Sequence, residues 1–439
     1  MAMMNELTVL PGERSGTVAA PASKSVLHRL LICAALGDEK KRIYQADLSE
    51  DILATLHCLR ALGAEVKLLP ERIIDITPIN KREGSDPSLS AGPALLPCGE
   101  SASTLRFLLP VCGALGQSAV FQLEGRLPER PLAPLAQCLR EHGMFIECTG
   151  NTVSCSVKLS AGEYEIPGDV SSQFISGILF ALPLLCGQSE LRVTGKTESS
   201  PYITMTLEAL RQAGIALSHD ENEFHIPGGQ TYALPEVLSA EGDWSNAALF
   251  LCMGALSRRG ITVTNLSLST RQGDRNILNI LRRFGADVVE DTGSITVRRR
   301  EMHAFTADAS SAPDLVPALA VLAAGAAGES RITNASRLRL KESDRLAATV
   351  NLLRSLGGSA EETEDGIIIR GTGALHGGRA AAVKDHRIVM ASALAAALCR
   401  ESVTVPFSEC VDKSFPKFWE CMDTLMVSAA GAAEGGKEK

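Results

Sequence analysis

Ser23-Lys24-Ser25-Val26-Leu27-His28-Arg29 places a short polar cluster directly ahead of an apolar, Ala/Leu-rich helix pattern. Five more clusters stand in the same position ahead of later helix patterns: Ser101-Ala102-Ser103, Ser171-Ser172-Gln173, Asp243-Trp244-Ser245, Ser311-Ala312-Pro313-Asp314 and Asp385-His386-Arg387. Between equivalent positions, the steps along the chain are 79, 69, 73, 69 and 73 residues. So regular a spacing predicts six copies of one structural unit.

The six clusters are predicted helix starts, and helix starts attract anions. The first turn of a helix presents unpaired N–H groups and the positive end of the helix dipole. A fold that gathers several such starts builds an anion site from the backbone alone. We therefore expect a small anionic substrate.

A second ladder of residues, out of phase with the first, supports the repeat. In five of the six units a Leu-Arg pair stands shortly before a glycine, namely at Gly63, Gly143, Gly214, Gly285 and Gly357. Glycine suits the left-handed residue that ends a helix, and arginine in the last turn complements the dipole. Two short strand-like runs follow each glycine, so each unit is predicted to hold two helices and several strands. The sixth unit lacks this ending.

Length and composition predict a large soluble α/β enzyme. With 439 residues the chain is too long for one core, and we expect two domains of about three units each. No apolar run reaches the ~18 residues that span a bilayer. The richest run, residues 315–328, contains Pro317 and is predicted to be a buried helix. The chain start lacks the features of a signal peptide, so we expect a cytoplasmic protein without a membrane partner.

Other compositional features argue against nucleic acid and metal. The net charge is -8, and only 4% of the residues are aromatic, which disfavours nucleic-acid binding. The eight histidines are dispersed, so no metal site is predicted. The twelve cysteines form no CxxC pair. Several of them lie in apolar helix patterns and are predicted to be reduced core thiols: Cys33, Cys112, Cys252 and Cys399.

The densest charge lies in Arg337-Leu338-Arg339-Leu340-Lys341-Glu342-Ser343-Asp344-Arg345. The alternation of cations with leucines predicts a strand with Arg337, Arg339 and Lys341 on one face. A helix that begins near Glu342 would return Arg345 to the same side. Cations with carboxylates among them suit a site that binds phosphate or carboxylate and moves a proton. The alternative interpretation is a solvated strand face with a surface Glu342–Arg345 pair.

Taken together, these segments resemble the 5-enolpyruvylshikimate-3-phosphate synthases, also called 3-phosphoshikimate 1-carboxyvinyltransferases, an enolpyruvyl transferase family of the shikimate pathway. The resemblance covers roughly residues 5–425. Its motifs occur in the order found in the family: the opening heptapeptide, residues 126–131, Ser171-Ser172-Gln173, Ser199-Ser200-Pro201-Tyr202, Pro313-Asp314, Lys341-Glu342-Ser343-Asp344-Arg345, Asp385-His386-Arg387 and Lys413-Ser414-Phe415-Pro416.

The resemblance implies an α/β fold of two domains, each an inside-out α/β barrel of three βαβαββ repeats, with the active site in the interdomain cleft. It places domain 1 at residues 23–239 and domain 2 at residues 1–22 plus 240–427, with the chain crossing near Ala22 and Ala240. Residues 428–439 are small and polar, and we expect them to form a disordered tail.

The resemblance also implies the reaction, a transfer of the enolpyruvyl group of phosphoenolpyruvate to the 5-hydroxyl of shikimate 3-phosphate in aromatic amino acid biosynthesis. We expect a monomer that binds these two small molecules. The implied phosphoenolpyruvate ligands are Lys24, Arg126, Gln173, Arg345, Arg387 and Lys413. The implied shikimate 3-phosphate ligands are Ser25, Arg29, Ser171, Ser172, Gln173, Ser199, Tyr202, Asp314 and Lys341. Arg337 stands where many relatives have asparagine.

Addition to phosphoenolpyruvate needs a base for the attacking hydroxyl and an acid for the methylene carbon, and elimination reverses both transfers. Asp314 and Glu342 match the family's two carboxylates, and Lys24 joins them as a catalytic group. We expect Asp314 at the 5-hydroxyl and Glu342 at the methylene carbon, although the motif alone does not assign the steps. No cofactor and no metal are expected, because the cations themselves neutralise the developing charge.

One segment departs from the family pattern. Many relatives read Gly-Asn-Ala-Gly-Thr where this chain reads Gly99-Glu100-Ser101-Ala102-Ser103. Glyphosate, the family's inhibitor, is longer than phosphoenolpyruvate, so the methyl group of Ala102 should hinder it more than the substrate. The sequence therefore predicts a glyphosate-tolerant enzyme. Alternatively, the loop shifts to make room and Ala102 is only a better helix former than glycine.

Three other functions fit parts of the pattern. A sister enolpyruvyl transferase acts on a UDP-amino sugar, but usually follows its early lysine with asparagine, where this chain has Ser25. An RNA 3'-phosphate cyclase has a related architecture, which the acidic balance disfavours. A non-catalytic anion-binding scaffold would not need both Asp314 and Glu342.

Overall fold

The structure is a computed structural model that describes residues 5–79 and 92–428. Its strands are β1 (Glu6–Val9), β2 (Glu13–Ala19), β3 (Lys41–Tyr44), β4 (Glu65–Leu69), β5 (Ile73–Thr77), β6 (Ala94–Gly99), β7 (Ala119–Leu123), β8 (Phe145–Thr149), β9 (Thr152–Ser156), β10 (Glu163–Pro167), β11 (Ser189–Thr194), β12 (Ser218–Asp220), β13 (Glu223–Ile226), β14 (Val237–Ser239), β15 (Ile261–Thr264), β16 (Asp287–Asp291), β17 (Ser294–Arg298), β18 (Thr306–Asp308), β19 (Gly328–Thr333), β20 (Ser359–Glu362), β21 (Ile367–Gly371), β22 (Gly378–Arg379), β23 (Val403–Pro406) and β24 (Met426–Ser428). Its α-helices are α1 (Lys24–Ala35), α2 (Glu50–Ala61), α3 (Ala102–Leu115), α4 (Ala133–Glu141), α5 (Ser172–Ala181), α6 (Ser200–Gln212), α7 (Trp244–Ala255), α8 (Ile277–Phe284), α9 (Val316–Ala324), α10 (Arg345–Ser355), α11 (His386–Ala395) and α12 (Phe418–Thr424).

The chain divides into two compact units, with boundaries at Pro21/Ala22 and at Glu241/Gly242. One unit is Ala22–Glu241, and the segments before and after it make the other. Each unit has its own hydrophobic core. Of the tail predicted at residues 428–439, Ser428 ends β24, and residues 429–439 lie outside the described residues.

The second repeat shows the common pattern most simply. It runs β6-α3-β7-α4-β8-β9, with β6 parallel to β7 and with β9 antiparallel to both β7 and β8. The sheets β10-β11-β13-β12 and β18-β19-β21-β20 have the same order. The predicted α/β architecture of repeated two-helix units in two domains is confirmed.

The first and fourth repeats exchange their first strands. β2 precedes α1 in the sequence, yet it pairs in parallel with β15, with Gly16 opposite Ile261. β14 precedes α7, yet it pairs in parallel with β3, with Leu238 opposite Ile43. Each exchanged strand therefore belongs to a different compact unit from the helix that follows it in the sequence.

The sixth repeat is completed by the start of the chain. β22 is parallel to β23, and β1 is antiparallel to β23, with Leu7 opposite Val405. Since β1 fills the place that a late strand takes in the other repeats, the chain after β23 needs no helix–glycine–hairpin ending. This explains why the sixth unit lacks the Leu-Arg-Gly pattern.

The helix starts and ends predicted from local sequence are found. Five of the six starts carry a side-chain N-cap, which accepts a hydrogen bond from a backbone N–H of the first turn: Ser23, Ser101, Ser171, Asp243 and Asp385. α9 instead follows a 3₁₀ turn, Pro313–Leu315. All five predicted glycines are left-handed, with φ of 105° at Gly63, 100° at Gly143, 71° at Gly214, 99° at Gly285 and 85° at Gly357.

The first helix of each repeat lies in the core. α7, α9 and α11 pack against one another. Every residue of α9 is buried, as predicted for the run 315–328, but the helix ends at Ala324 and Gly328 already begins β19. α3 and α5 approach so closely that a Cβ on Gly177 would lie 2.1 Å from the carbonyl oxygen of Arg106. Cys33, Cys112, Cys252 and Cys399 are buried, as predicted. Within residues 5–79 and 92–428, no helix is long and apolar enough to cross a membrane.

Candidate functional site

Three helix starts converge inside the unit Ala22–Glu241. A buried chain of hydrogen bonds runs from His28 Nδ1 to Thr55 Oγ1 (2.7 Å) and on to Thr104 Oγ1 (2.7 Å). Thr104 Oγ1 in turn donates to Ser101 Oγ (2.7 Å), the N-cap of α3. The bonds tie α1, α2 and α3 together near their first turns. Such a buried polar network holds the three helices in one arrangement.

Lys24 opens α1 and is held by a carboxylate. Its Nζ lies 2.6 Å from Asp51 Oδ2, a residue in the first turn of α2. The Lys24 side chain is 19% exposed and that of Asp51 only 7%. The ion pair therefore positions the ammonium group while leaving it partly accessible. Ser25, the next residue, is half-buried.

Arg29 joins α1 to α6. Its Nε donates to Thr206 Oγ1 (2.9 Å), NH1 to the Ser25 carbonyl oxygen (2.6 Å) and NH2 to the Tyr202 carbonyl oxygen (2.8 Å). Burial lowers the pKa of Arg29 to about 10, with Tyr202 and Cys33 opposing the shift, so the guanidinium stays charged at neutral pH. The structure thus brings Ser25, Arg29 and Tyr202 together.

Arg106 connects α3 to α5. Its NH1 donates to Gln173 Oε1 (2.8 Å) and to Ser171 Oγ (3.4 Å), and its NH2 donates to the Pro131 carbonyl oxygen (2.7 Å). Gln173 Nε2 donates to Ser103 Oγ (2.8 Å), so both ends of the Gln173 amide are fixed. Because Gly177 lets α3 and α5 approach closely, these contacts can form.

Other predicted ligands of this unit are placed less tightly. Arg126 lies just before the 3₁₀ turn Leu127–Glu129, is 45% exposed and pairs with Glu129 of the same turn at 3.3 Å. Ser172 is the first residue of α5, and it is buried. Ser199 precedes α6 with φ of 55°, a left-handed conformation that is uncommon for a non-glycine residue.

Ala102 is the first residue of α3 and is 5% exposed. It stands between the N-cap Ser101 and Ser103, whose hydroxyl holds Gln173. The side chain of Glu100 lies against Gly125, where an added Cβ would come within 1.8 Å of Glu100 Oε1. The Glu100 carboxylate is therefore adjacent to the turn that carries Arg126.

In the other unit, the guanidinium group of one arginine donates hydrogen bonds to three carboxylates. Arg345 opens α10, and its side chain is only 2% exposed. It donates from NH1 to Asp314 Oδ1 (2.9 Å), from NH2 to Glu342 Oε2 (2.7 Å) and from Nε to Asp385 Oδ2 (2.8 Å). Burial works against the charge on Arg345, but Asp385, Glu342 and Asp314 raise its pKa above the usual arginine value.

Asp314 lies among three cations. Lys341 Nζ is 3.7 Å and Arg387 NH2 is 3.6 Å from its carboxylate, in addition to Arg345. Burial alone would raise the pKa of Asp314, but Lys341, Arg387 and Arg345 together hold it well below its usual range. Its side chain is 21% exposed, so an ionised carboxylate is accessible there.

Arg387 joins the starts of α11 and α7. Its NH1 donates to the Ser245 carbonyl oxygen (2.9 Å) and to Asn246 Oδ1 (3.2 Å), and its NH2 donates to Ser245 Oγ (2.5 Å). Lys413 ends the 3₁₀ turn Ser408–Lys413, which packs against α11, and is buried. The starts of α7 and α11 and the turn before α9 thus converge in this unit.

The strand predicted for the charged segment is wrong. Ser336–Leu340 is a 3₁₀ helix, and α10 begins at Arg345 rather than near Glu342. In a 3₁₀ helix residues two apart point in different directions, so the cations do not share a face. Arg337 donates to the Ala309 and Ser310 carbonyl oxygens, whereas Arg339 pairs with Asp344 and Glu362. The alternative interpretation is wrong about the location: Glu342 and Arg345 do pair, at 2.7 Å, but the Arg345 side chain is only 2% exposed.

Sequence reasoning missed several residues that hold the predicted ones. Asp51 is an acidic residue in the first turn of a helix, which is a common arrangement, so nothing in the sequence indicated that it pairs with Lys24. Arg106 could have been found, because it is a single cation within an apolar helix pattern, and a buried arginine needs polar partners. Asp385 was predicted only as part of a helix start, but besides capping α11 it accepts a hydrogen bond from Arg345. Within the described ranges, no group of three or more histidine, cysteine, aspartate or glutamate side chains is placed to hold a metal ion.

Comparison with known proteins covers nearly the whole chain. The family profile of EPSP synthase (3-phosphoshikimate 1-carboxyvinyltransferase) matches residues 10–422. A 3-phosphoshikimate 1-carboxyvinyltransferase of Clostridium kluyveri is 39% identical over 425 residues, which cover 96% of this chain and 97% of the relative. That of Clostridium beijerinckii is 38% identical over 427 residues, covering 96% of this chain and 98% of the relative.

Solved structures with a similar fold belong to the same kind of enzyme as the relatives found by sequence. The EPSP synthase from Acinetobacter baumannii superposes with a TM-score of 0.79 at 26% identity, covering 97% of this chain and 100% of that one. The enolpyruvyl transferase NikO from Streptomyces tendae has the same fold, with a TM-score of 0.76 at 18% identity and the same coverage. The resemblance drawn from the motifs is confirmed. The chain belongs to the EPSP synthase family, the 3-phosphoshikimate 1-carboxyvinyltransferases.

Proposed function

We propose that this protein transfers the enolpyruvyl group of phosphoenolpyruvate to the 5-hydroxyl of shikimate 3-phosphate and releases phosphate. Family membership supports the reaction class. One observation carries the proposal further: a single buried guanidinium, Arg345, holds both Asp314 and Glu342 beside Lys341 and Arg387. Two carboxylates among cations are what a reaction of anions with two proton transfers requires.

The two carboxylates take different steps in this proposal. Asp314 orients the 5-hydroxyl and accepts its proton as the oxygen bonds to C2 of phosphoenolpyruvate, while Glu342 delivers a proton to the methylene carbon, C3. The product of this addition is the tetrahedral intermediate. In the absence of substrate, the three cations make Asp314 a weak base. Substrate phosphate and carboxylate groups would offset those cations and raise the basicity of Asp314 when the hydroxyl is in place. In the elimination Glu342 takes a proton back from the methyl carbon, the C–O bond to phosphate breaks, and phosphate leaves with the proton that Asp314 holds.

The cations divide between the substrates. We assign Lys24, Arg126, Arg345, Arg387 and Lys413 to phosphoenolpyruvate. Lys24 is already oriented by Asp51, and Arg387 by Ser245, so neither loses much side-chain freedom on binding. We assign the hydroxyl-rich starts of α5 and α6, with Ser25, Arg29 and Lys341, to shikimate 3-phosphate. Gln173, fixed by Arg106 and Ser103, contacts both substrates in this assignment.

We also propose that the enzyme tolerates glyphosate through Ala102. The methyl group is buried at the start of α3, next to the serine that holds Gln173. An inhibitor longer than phosphoenolpyruvate would clash with this methyl group more than the substrate does. A single methyl clash in a packed site costs ~1–3 kcal/mol, roughly 10- to 200-fold in discrimination.

A phosphate-release assay tests the reaction. Phosphate should appear only when phosphoenolpyruvate and shikimate 3-phosphate are both present, and the rate should not change with a metal chelator. Replacing shikimate 3-phosphate by a UDP-amino sugar separates the sister activity. Phosphate release with the UDP-amino sugar alone, or none with either acceptor, would reject the proposal.

A further inference from the structure

A cavity of about 340 Å³ lies inside the second repeat. Its walls are formed by α3, the turn around Leu127–Glu129, α4 and the β8–β9 hairpin. Much of the lining is apolar: Leu105, Leu123, Leu127, Leu132, Ala136 and Val153. A cavity of this volume with apolar walls has the dimensions of a small-molecule site.

The charge of the cavity has one sign. Arg106, Arg130 and Arg140 line it, and none of the lining residues is an aspartate or a glutamate. Each guanidinium carries five N–H donors, so one that already binds a carbonyl oxygen can still donate to a ligand. Positive charge beside apolar walls attracts an anion with an apolar body, because water screens the interaction less there.

The cavity is separate from the groups assigned to the substrates but shares one contact with them. Lys24, Gln173 and Arg126 do not line it. Arg106 does, and its guanidinium also binds Gln173 Oε1 and the Pro131 carbonyl oxygen. A ligand that draws the Arg106 guanidinium towards the cavity therefore pulls it away from Gln173 Oε1.

We propose that this cavity binds a small apolar monocarboxylate, and that binding loosens the contact between Arg106 and Gln173. The carboxylate meets the arginines, and the apolar part packs on the leucines. The binding claim stands without the assigned reaction. The further claim, that the ligand slows turnover without competing with phosphoenolpyruvate, rests on the function proposed above.

Calorimetric titration of the full-length protein with benzoate, and with benzamide as the uncharged match, tests the binding claim. We expect benzoate to bind at least about tenfold more tightly than benzamide. Arg130→Gln and Arg140→Gln should each weaken benzoate several-fold. Ala133→Phe should abolish binding. Ala133 lines the cavity at the start of α4 and is exposed, so a phenyl group there should block the cavity without disturbing the core.

The matched control is Arg192→Gln, an exposed arginine of the same unit that pairs with Glu223 on the sheet surface and does not line the cavity. It should leave benzoate binding unchanged. Equal binding of benzamide, binding that persists in Ala133→Phe, or one-for-one displacement of benzoate by phosphoenolpyruvate would overturn the proposal. Failure of benzoate to bind the unaltered protein would overturn it as well.

Coupling to turnover is measured separately in the phosphate-release assay. Benzoate should lower the maximal rate in the parent enzyme and have no effect in Ala133→Phe. If benzoate binds but leaves the rate unchanged, the coupling through Arg106 is wrong. An enzyme without the proposed activity would still give the calorimetric result, so the two proposals fail independently.

Discussion

Asp314→Asn should separate the charge of this carboxylate from its shape. The amide oxygen can still accept the hydrogen bond from Arg345 NH1, so the helix starts stay connected. What disappears is the anion that faces Lys341 and Arg387 at 3.7 and 3.6 Å, together with its capacity to take a proton. The substitution therefore removes chemistry and leaves most of the packing intact.

The loss of a positioned proton-transfer group lowers turnover by roughly 100- to 10,000-fold, which raises the barrier by about 3–5 kcal/mol. Because Arg345 and Arg387 keep their positive charges, the KM for phosphoenolpyruvate should change far less than kcat. Steady-state phosphate release with both substrates varied measures the two constants. Circular dichroism and the melting temperature establish that the variant is folded.

Asp344→Asn is the matched control. Asp344 lies in the same segment and caps α10, and asparagine is an equally good N-cap. Its side chain is 39% exposed and pairs with Arg339, a contact of the kind that contributes little to stability. The control should retain near-normal turnover. A folded Asp314→Asn enzyme whose kcat lies within fivefold of the parent would refute the role of Asp314.

Three further predictions follow from individual contacts. Ala102→Gly should lower the inhibition constant for glyphosate by about 10- to 200-fold, with a smaller effect on phosphoenolpyruvate; equal inhibition constants would show that the methyl group is not the selector. Asp51→Asn should lower kcat/KM for phosphoenolpyruvate about tenfold, because Lys24 loses the partner that positions its ammonium group; an unchanged value would contradict this role. Burial raises the pKa of Asp274 to about 7; the charges of Asp314 and Asp243 add to this shift and that of Arg387 opposes it. Between about pH 4 and 7 the carboxyl is therefore protonated in the folded protein and ionised in the unfolded chain. The free energy of unfolding falls as the pH rises through this window. Asp274→Asn should therefore gain about 3 kcal/mol relative to the parent as the pH rises from 5 to 8 in urea unfolding, and a difference that is independent of pH would contradict the shift.

Local features of the fold could be predicted from sequence because their causes are local. An N-cap such as Ser101 or Asp385 bonds within one turn, and the left-handed Gly285 needs only its own missing side chain. The exchange of β2 and β14 pairs residues far apart in the chain, and only the resemblance indicated that the chain crosses twice.

The sequence motifs predicted which residues belong to the candidate site, but they did not predict which other residues hold those side chains in place. Alternation of cations and leucines in residues 337–341 is compatible with a strand or with a short 3₁₀ helix, and tertiary packing selected the helix. Asp51 reaches Lys24, and Arg106 reaches Gln173, across 27 and 67 residues of sequence. Nothing in the local pattern specifies such contacts, because side-chain pairing across elements depends on how the helices pack.

The most direct test of the proposed reaction follows carbon-13 in [3-¹³C]phosphoenolpyruvate by NMR, with shikimate 3-phosphate and enzyme in D₂O. Addition protonates the methylene carbon and elimination removes a proton again. The labelled carbon should therefore appear in an enolpyruvyl ether of shikimate 3-phosphate and should carry solvent deuterium. Labelled pyruvate without the ether, or an ether whose methylene carbon contains no deuterium, would contradict the proposed addition–elimination reaction.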